Sequence, residues 1–397
     1  MSSTTSSVFP SLDAVMPIAP RPDILFVRGE GSWLTDSEGR RYLDFVQGWA
    51  VNALGHCHPA LVDALQRQCA TLINPSPAFF NGPMVALATL LARHSGLDQV
   101  FFANTGAEAN EGAIKLARKW GARHRRGPHR IITFTNGFHG RTLATMSASG
   151  KPGWERLFEP GVPGFIKVPY NDLDAVAGAV DDHTVAVMLE PIQGEAGVIP
   201  ARRDFVEGLR RLTREKGLLL IFDEVQTGMG RTGSLFAFQH LGVEPDIVTL
   251  GKGIGGGVPL AALLARRAVS CFEPGDQGGT YNGNPLCCAA GVAVMETLLS
   301  PGFLAEVRAR GEQLASGLTR LATTHSLGHV RGQGLLMALD TGSLDAPSIV
   351  ASALARGLLV NAPRPQTLRF MPALTVSEDE ITRMLAILDE VLGMQQP

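Results

Sequence analysis

The chain has 397 residues, of which 45% are hydrophobic and 18% are charged. This composition is that of an ordinary globular protein and excludes a disordered or fibrous one. With 35 Lys and Arg residues against 37 Asp and Glu residues, the net charge is −2. This balance disfavours a general nucleic-acid binder, because phosphate neutralisation requires a strong basic excess.

The cysteine count and the N-terminus bear on the compartment. The five cysteines are odd in number and form no CxxC pair, which favours a reducing environment over a disulfide framework or a zinc ribbon. The N-terminal residues lack the cationic start and apolar core of a signal peptide, and no apolar run approaches the roughly 18 residues that span a bilayer. We therefore expect a cytoplasmic protein.

The predicted elements change in character along the chain. Residues 1–24 predict a poorly ordered arm, and residues 25–46 predict a small antiparallel sheet with turns. Beyond residue 60, helical patterns alternate with strands that are apolar on both faces, as is typical of parallel strands covered by helices. The predicted helices cover residues 59–72, 83–94, 107–125, 172–180, 204–216, 286–299 and 303–324, and the predicted strands cover 99–103, 130–134, 185–189, 218–222, 246–250 and 259–265. The sequence thus predicts an α/β domain, followed by a smaller α+β domain that extends to residue 397.

Three strand ends could carry chemistry, since ligands of open α/β sheets bind beyond the carboxyl ends of the strands. At the first, strand 99–103 leads through a small-residue turn into a helix. The backbone N–H groups of Gly106 and Ala107 would then lie at a helix N-terminus, which is an anion site. A plain strand–helix turn is the alternative interpretation.

At the second strand end, Asp223 directly follows the apolar run Leu218–Phe222. A carboxylate in this position needs a partner because its burial is costly. It could bind the metal of a nucleotide hydrolase, face a cationic ring nitrogen of a cofactor, or serve as a helix cap or loop ion pair. The hydrolase interpretation is weak, because the sequence lacks a GxxxxGK[ST] loop.

At the third strand end, Lys252 follows an apolar strand and precedes a glycine run. A single lysine is most often a solvated surface residue. Here the flanking residues are apolar or glycine, so the amine could be desolvated, which would lower its pKa and make it nucleophilic towards a carbonyl group.

Three other patterns are interpreted as structural. The GxGxxG match at 228–233 does not directly follow a strand, which disfavours dinucleotide binding. Residues 56–58 read His-Cys-His, but adjacent side chains point apart and no second ligand pair is nearby, so we predict a loop and no metal site. The basic residues between 118 and 130 lie near a helix C-terminus, where cations are favoured.

The three strand ends together resemble the class III (ω-amino-acid) aminotransferases, which use pyridoxal 5'-phosphate (PLP). The resemblance runs from Gly29 to about Leu374 and is carried by the stretches Asn52–His56, Asn104–Asn110, Phe138–Thr142, Glu190–Glu195, Asp223–Gly228, Gly251–Lys252 and Gly279–Pro285. It implies a fold type I PLP-dependent transferase, with a large domain of mostly parallel sheet and a smaller α+β domain. The implied division is an N-terminal arm and small sheet over residues 1–50, a PLP-binding domain over 51–288 and a C-terminal domain over 289–397.

The resemblance also implies roles for the residues at the cofactor. Lys252 corresponds to the catalytic lysine that binds PLP covalently and then moves a proton. Asp223 would keep the pyridine nitrogen protonated, which makes the ring an electron sink. The remaining cofactor contacts would come from Val225 and Phe138 on the two ring faces, Gln226 at the phenolic oxygen, and Gly106, Ala107 and a neighbouring subunit's Thr280 at the phosphate. The implied assembly is a homodimer with shared active sites.

Substrate choice would depend on two arginines, which can bind carboxylates in a bidentate manner. By resemblance, Arg141 binds the α-carboxylate of N-acetylornithine and the γ-carboxylate of glutamate, and Arg369 binds the α-carboxylate of glutamate or 2-oxoglutarate. Glu195 would pair with Arg369 when the first substrate is bound. A surface acid is the alternative interpretation of Glu195. Two departures from the family pattern are Gly279, where a serine is common, and Trp49, with no tyrosine in residues 1–41.

Among members of the family, the sequence is most similar to those that act on N-acetylornithine. The expected function is transfer of the terminal amine of N-acetylornithine to 2-oxoglutarate in arginine biosynthesis. The alternatives are ω-transaminases that act on ornithine, succinyldiaminopimelate or 4-aminobutyrate, and a racemase or mutase of the same fold. A non-catalytic protein that keeps this fold is a further alternative. The absence of tyrosine in residues 1–41 disfavours free ornithine as the donor.

Overall fold

A computed structural model of the chain describes residues 14–125, 127 and 129–395. The first thirteen residues of the predicted arm therefore lie outside the described residues, and residues 15–25 form neither helix nor strand. All the helices and strands predicted above are present, with bounds that differ by at most two residues.

The strands of the described residues are numbered in chain order. They are β1 (Phe26–Glu30), β2 (Trp33–Asp36), β3 (Arg41–Asp44), β4 (Gln99–Ala103), β5 (Arg130–Phe134), β6 (Phe165–Val168), β7 (Thr184–Leu189), β8 (Ile192–Gln193), β9 (Ile199–Pro200), β10 (Leu219–Asp223), β11 (Ile247–Leu250), β12 (Ala261–Ala265), β13 (Val330–Gln333), β14 (Leu336–Asp340), β15 (Leu358–Leu359), β16 (Asn361–Arg364) and β17 (Thr367–Phe370).

The helices are numbered in the same way. They are α1 (Gln47–Ala50), α2 (Pro59–Thr71), α3 (Gly82–Ser95), α4 (Gly106–His124), α5 (Leu143–Ala148), α6 (Leu173–Ala179), α7 (Arg203–Lys216), α8 (Phe238–Leu241), α9 (Pro285–Leu298), α10 (Phe303–Thr324), α11 (Ala346–Ala355) and α12 (Glu378–Gly393). Short 3-10 turns lie at Trp154–Arg156 and Lys252–Gly255.

The central sheet has seven strands in the order β4-β12-β11-β10-β7-β5-β6. Strands β11, β10, β7, β5 and β6 pair in parallel, whereas β12 runs antiparallel to both β11 and β4. The sheet is therefore mostly parallel, as the family resemblance implied, with β12 as its antiparallel strand. Only residues 251–260 join β11 to β12, which is shorter than the dozen or more residues of a parallel crossover. Every residue of β12 is buried, so its apolar pattern does not reveal its direction.

Several short elements of this domain were not predicted, among them β6 and α5. Strand β6 has four residues, one of them a lysine, and lies at the edge of the sheet. Helix α5 has only six residues, of which four are buried. Both are too short for their hydrophobic periodicity to stand out in the sequence.

The smaller sheets combine distant parts of the chain. The predicted sheet of residues 25–46 is present as antiparallel β1, β2 and β3, and β15 adds a fourth strand that runs parallel to β3. A second four-stranded sheet has the antiparallel order β13-β14-β17-β16. The N-terminal segment thus shares a sheet with the C-terminal one. The boundary predicted after residue 288 lies within α9, and the division into three segments stays a prediction.

The core and the long helices complete the architecture. One cluster of buried apolar residues extends from the first small sheet through the central sheet to α12. In the described part of the chain, no single helix is long and apolar enough to cross a membrane. One bent pair, α9 with α10, meets the criteria of length and composition when both are taken together.

Candidate active site

The three strand ends singled out from the sequence meet at one edge of the central sheet. Strands β10 and β11 are parallel neighbours, and β4 lies two places beyond β11. A methyl group on Gly251 would lie 3.0 Å from Val225 Cγ1 and 3.2 Å from Gly106 Cα. The segments that follow the three strands therefore touch one another.

These segments form the wall of a cavity of about 420 Å³. Nine of the eleven predicted site residues line it, namely Gly106, Ala107, Phe138, Arg141, Glu195, Asp223, Val225, Gln226 and Lys252. Arg369 is fully buried directly behind Glu195 and Gln226. Thr280 is exposed and lies outside this cavity.

The start of helix α4 supplies an anion site. The side chain of Thr105 accepts a hydrogen bond from Glu108 N, and the Glu108 carboxylate accepts one from Thr105 N, which together form a capping box. Gly106 and Ala107 hold the first two helical positions, where backbone N–H groups have no carbonyl partner within a helix. Both residues line the cavity, so these donors and the helix dipole favour an anion there.

The carboxylate of Asp223 is buried and oriented by three donors. Oδ2 accepts hydrogen bonds from Asn110 Nδ2 and His139 Nδ1, both at 2.8 Å, and Oδ1 accepts one from Val225 N at 3.0 Å. The hydroxyl of Thr249 in turn donates to Asn110 Oδ1 at 2.6 Å. Burial by itself lowers the pKa of His139, but the hydrogen bond to Asp223 and its charge raise that pKa above the usual value.

Lys252 begins the 3-10 turn after β11, with a φ of +47°. This conformation is uncommon for a residue with a side chain and marks local backbone strain, which is often found at functional sites. Burial lowers the pKa of the Lys252 amine, although the carboxylates of Asp223 and Glu195 act in the opposite direction. Lys252 is half-buried in the wall of the cavity.

Glu195 and Arg369 form an ion pair. Glu195 Oε1 lies 2.8 Å from Arg369 Nη1. Burial by itself raises the pKa of Glu195, but the charge and hydrogen bond of Arg369 lower it below the usual value. Gln226 Oε1 also accepts a hydrogen bond from Arg369 Nη1, at 3.4 Å. The ion pair therefore connects the C-terminal sheet to the cavity wall.

Arg141 and Phe138 lie at the side of the cavity near Trp154. The Arg141 guanidinium lies over the Trp154 ring at 5.3 Å, and the Phe138 ring meets the same ring edge-on at 5.6 Å. Arg141 is exposed, so its charge is accessible to a ligand in the cavity.

Three side chains at the site received no role from the sequence. Asn110 and His139 orient Asp223, and the buried Glu190 accepts hydrogen bonds from Phe138 N at 2.9 Å and Gly194 N at 3.3 Å. Burial raises the pKa of Glu190 to about 7. All three lie within the stretches that carry the family resemblance, which was the available signal, but their contacts join separate stretches and have no spacing in the sequence.

Comparison with known proteins places this site in a family. The family described as aminotransferase class-III matches residues 18–392. The chain belongs to the class III aminotransferases. This confirms the family and the PLP-dependent transferase fold expected from the motifs.

Several class III aminotransferases are similar over nearly the whole chain. Acetylornithine aminotransferase 2 of Bordetella pertussis is 62% identical over 385 residues, which cover 96% of this chain and 97% of the relative. Acetylornithine aminotransferase of Ralstonia nicotianae is 58% identical over 388 residues, with the same coverage.

Solved structures agree with these relatives. Ornithine aminotransferase from Toxoplasma gondii superposes with a TM-score of 0.92 at 33% identity and covers 96% of this chain and 93% of its own. N-acetylornithine aminotransferase from Stenotrophomonas maltophilia superposes with a TM-score of 0.83 at 36% identity and covers 94% of this chain and 96% of its own.

As a class III aminotransferase, the protein is a PLP-dependent transaminase that acts on amino and keto acids. A second structure of the T. gondii enzyme contains PLP at partial occupancy in its active site. The cavity described above fits this cofactor. It combines an anion site at the start of α4, the oriented carboxylate of Asp223 and the desolvated amine of Lys252.

Proposed function

We propose that this enzyme transfers the terminal amine of N-acetylornithine to 2-oxoglutarate, a reaction of arginine biosynthesis. Relatives at 50–62% identity over nearly the whole chain are named acetylornithine aminotransferases. The observation that carries the proposal is the 2.8 Å ion pair between Glu195 and Arg369 at a cavity that also holds Arg141 and Lys252. This arrangement provides for two substrates that carry different numbers of carboxylates.

The cofactor is held by residues on several sides of the cavity. The proposed phosphate donors are the N–H groups of Gly106 and Ala107, and Asp223 would face the pyridine nitrogen. Val225 and Phe138 would contact the two ring faces, and Gln226 would reach the phenolic oxygen. When bound, PLP withdraws electrons from the substrate carbon that carries the amine. Lys252 Nζ would hold the cofactor and, once the substrate amine has taken its place, would carry the proton that leaves this carbon, for which its lowered pKa is suited.

Glu195 acts as a switch between the two half-reactions. With N-acetylornithine, Arg141 binds the α-carboxylate, and Glu195 neutralises Arg369 because the substrate has no carboxylate at its reacting end. With 2-oxoglutarate, Arg141 binds the γ-carboxylate, and the α-carboxylate takes the place of Glu195 at Arg369. Charge-assisted bidentate pairs of this kind are among the stronger polar interactions in proteins.

One of the two departures from the family pattern, Trp49, contacts a residue of the cavity wall. The carbonyl of Trp49 accepts a weak hydrogen bond from Gln226 Nε2 at 3.5 Å, and the Trp49 side chain is exposed. This position supports a contact between Trp49 and the donor substrate in place of the tyrosine of ornithine-type relatives. Gly279 precedes Thr280 on an exposed segment and supplies no hydroxyl.

The active enzyme is a cytoplasmic homodimer in which Thr280 completes the phosphate site of the neighbouring subunit. The support is an exposed apolar surface formed by Phe79, Phe80 and Tyr281, whose side chains are 63% to 88% exposed. Asn81 Nδ2 donates to Gly283 O at 2.9 Å and joins the two segments. The odd number of cysteines, with no CxxC pair, supports the reducing compartment.

The dimer is tested by sedimentation velocity of Phe80→Asp, with Val27→Asp as the matched control at an exposed apolar position on β1. We expect a monomer without activity for Phe80→Asp and wild-type behaviour for Val27→Asp. A dimeric, active Phe80→Asp enzyme would show that this surface is not the interface.

The reaction is tested by the visible absorption spectrum of the purified holoenzyme, before and after addition of N-acetylornithine without a keto acid. We expect the cofactor band to bleach and to recover on addition of 2-oxoglutarate. Ornithine, succinyldiaminopimelate and 4-aminobutyrate are tested as alternative donors. If one of them bleaches the band faster than N-acetylornithine does, that amine is the preferred donor and the proposed reaction is wrong. Lys252→Ala should show no turnover, whereas the exposed Lys216→Ala should behave as wild type.

A further inference from the structure

A neutral side chain, Asn361, holds the buried Arg369 from the side opposite its ion pair. Asn361 Oδ1 accepts a hydrogen bond from Arg369 Nε at 2.8 Å. The two residues lie directly opposite each other on antiparallel strands β16 and β17. On its other side, β17 places Ala338 of β14 opposite Arg369, which offers no polar side chain.

The three nitrogens of the Arg369 guanidinium differ in their hydrogen bonding. Nε donates to Asn361, and Nη1 meets Glu195 at 2.8 Å and Gln226 at 3.4 Å. Nη2 is buried and has no hydrogen-bond partner among the described residues. Buried N–H groups are rarely left unpaired, because the lost hydration costs free energy. An unpaired Nη2 beside Nη1 is the arrangement that a carboxylate with two oxygens can satisfy.

We propose that Asn361 is a positioning residue that sets specificity for the dicarboxylate acceptor of the reaction. By fixing Nε, it holds the planar guanidinium so that Nη1 and Nη2 remain as a pair for the acceptor's α-carboxylate. Because the amide is neutral, it orients Arg369 without neutralising its positive charge. The inference rests on the proposed function, in which Arg369 binds this carboxylate.

Neutrality distinguishes this role from simple support. The substitution Asn361→Asp keeps the acceptor atom for Nε and the approximate size, but it adds a second carboxylate beside Arg369. That carboxylate competes with the substrate for the same positive charge, while Arg141 and the donor substrate are unaffected. If Asn361 had only a structural role, its substitution would not change the KM for one substrate and leave the KM for the other unchanged.

The test compares Asn361→Asp with Asn136→Asp. Asn136 lies on an exposed loop outside the cavity. Its Oδ1 accepts a hydrogen bond at 2.9 Å from Nη2 of Arg364, which lies on β16 like Asn361. The control therefore makes the same chemical change beside another arginine. We expect Asn361→Asp to raise the KM for 2-oxoglutarate about 10-fold, the value of one charge-assisted hydrogen bond, and to leave the KM for N-acetylornithine nearly unchanged. Asn136→Asp should change neither.

Asn361→Leu provides a second, uncharged variant. It removes the acceptor for Nε, and we expect the same selective rise in the KM for 2-oxoglutarate. Equal changes for both substrates, or no change for 2-oxoglutarate, would overturn the role of Asn361. A wild-type enzyme that fails to use N-acetylornithine would instead overturn the proposed donor, and the KM for 2-oxoglutarate would then be measured with the donor that it does use.

Discussion

The side chain of Val225 lies directly against the backbone of Gly106. A methyl group on Gly106 would come within 2.6 Å of Val225 Cγ1 and 2.9 Å of Cγ2, which is closer than carbon atoms approach in proteins. The helix that carries the anion site and the residue proposed to contact the cofactor ring are thus held at a fixed spacing. Only glycine at position 106 allows this spacing.

Gly106→Ala should therefore weaken PLP binding. Overpacking typically costs about 1–3 kcal/mol, so we expect an affinity about 5-fold to 150-fold lower. Gly82→Ala is the matched control, because Gly82 is also the first residue of a helix and a methyl group there meets no atom within 4 Å. Fluorescence titration of the apoenzyme with PLP measures the effect. Equal affinities for the two variants would contradict the steric argument.

The pair of His139 and Asp223 should make stability depend on pH. Because the pKa of His139 is raised, the folded protein holds the proton more tightly than the unfolded chain does. The pair therefore stabilises the fold fully below the ordinary histidine pKa of about 6.5, and this contribution is lost as the pH rises through the raised value. The charge of Glu190 also raises the pKa of His139, whereas the charge of Lys167 lowers it.

His139→Asn, which can still donate to Asp223 but does not titrate, should reduce this dependence. We expect the free energy of unfolding of the apoenzyme to fall less between about pH 6 and pH 9 in the variant than in the wild type. Urea denaturation at several pH values measures it, with the exposed His124→Asn as the control. Parallel curves for wild type and His139→Asn would refute the linkage.

Replacement of Glu195 should change the preference for the amino donor in the first half-reaction. Glu195→Ala leaves the charge of Arg369 without its carboxylate partner, so an α-amino acid such as glutamate can bind more readily in the first half-reaction. We expect the rate with glutamate relative to N-acetylornithine to rise about 10-fold, the value of one charge-assisted pair. Glu195→Gln, which keeps the size and one acceptor oxygen, should give a smaller rise. An unchanged ratio in single-turnover measurements would exclude the switch.

Arg231 should contribute to stability without contacting the cavity. Its buried Nη1 donates to Leu335 O at 3.0 Å and Pro372 O at 2.5 Å, so it joins the loop after β10 to two parts of the C-terminal segment. Arg231→Met leaves both carbonyls unpaired, and we expect a loss on the order of 2 kcal/mol in the free energy of unfolding. Urea denaturation measures it against the exposed Arg67→Met. Equal losses would argue against this role.

Much of the fold was readable from the sequence because its elements are long and regular. The pattern of residues 303–324 predicted α10 with the correct bounds, since a 22-residue amphipathic helix repeats its period several times. The direction of β12 could not be read, because a strand buried on both faces looks the same in either direction. The pairing of β15 with β3 could not be predicted either, because it joins residues more than 300 positions apart.

The candidate site divides in a similar way. The sequence by itself determined the family, because its motif stretches resemble those of the class III aminotransferases. It also predicted where the candidate site lies, because Lys252, Asp223 and the start of α4 each stand at the end of an apolar strand and such strand ends share one edge of a sheet. Only the tertiary structure decided their partners. Asn110 and His139 reach Asp223 from separate segments, and Asn361 reaches Arg369 across a strand pair. Hydrogen bonds act over about 3 Å in space, a distance that has no fixed counterpart in sequence separation.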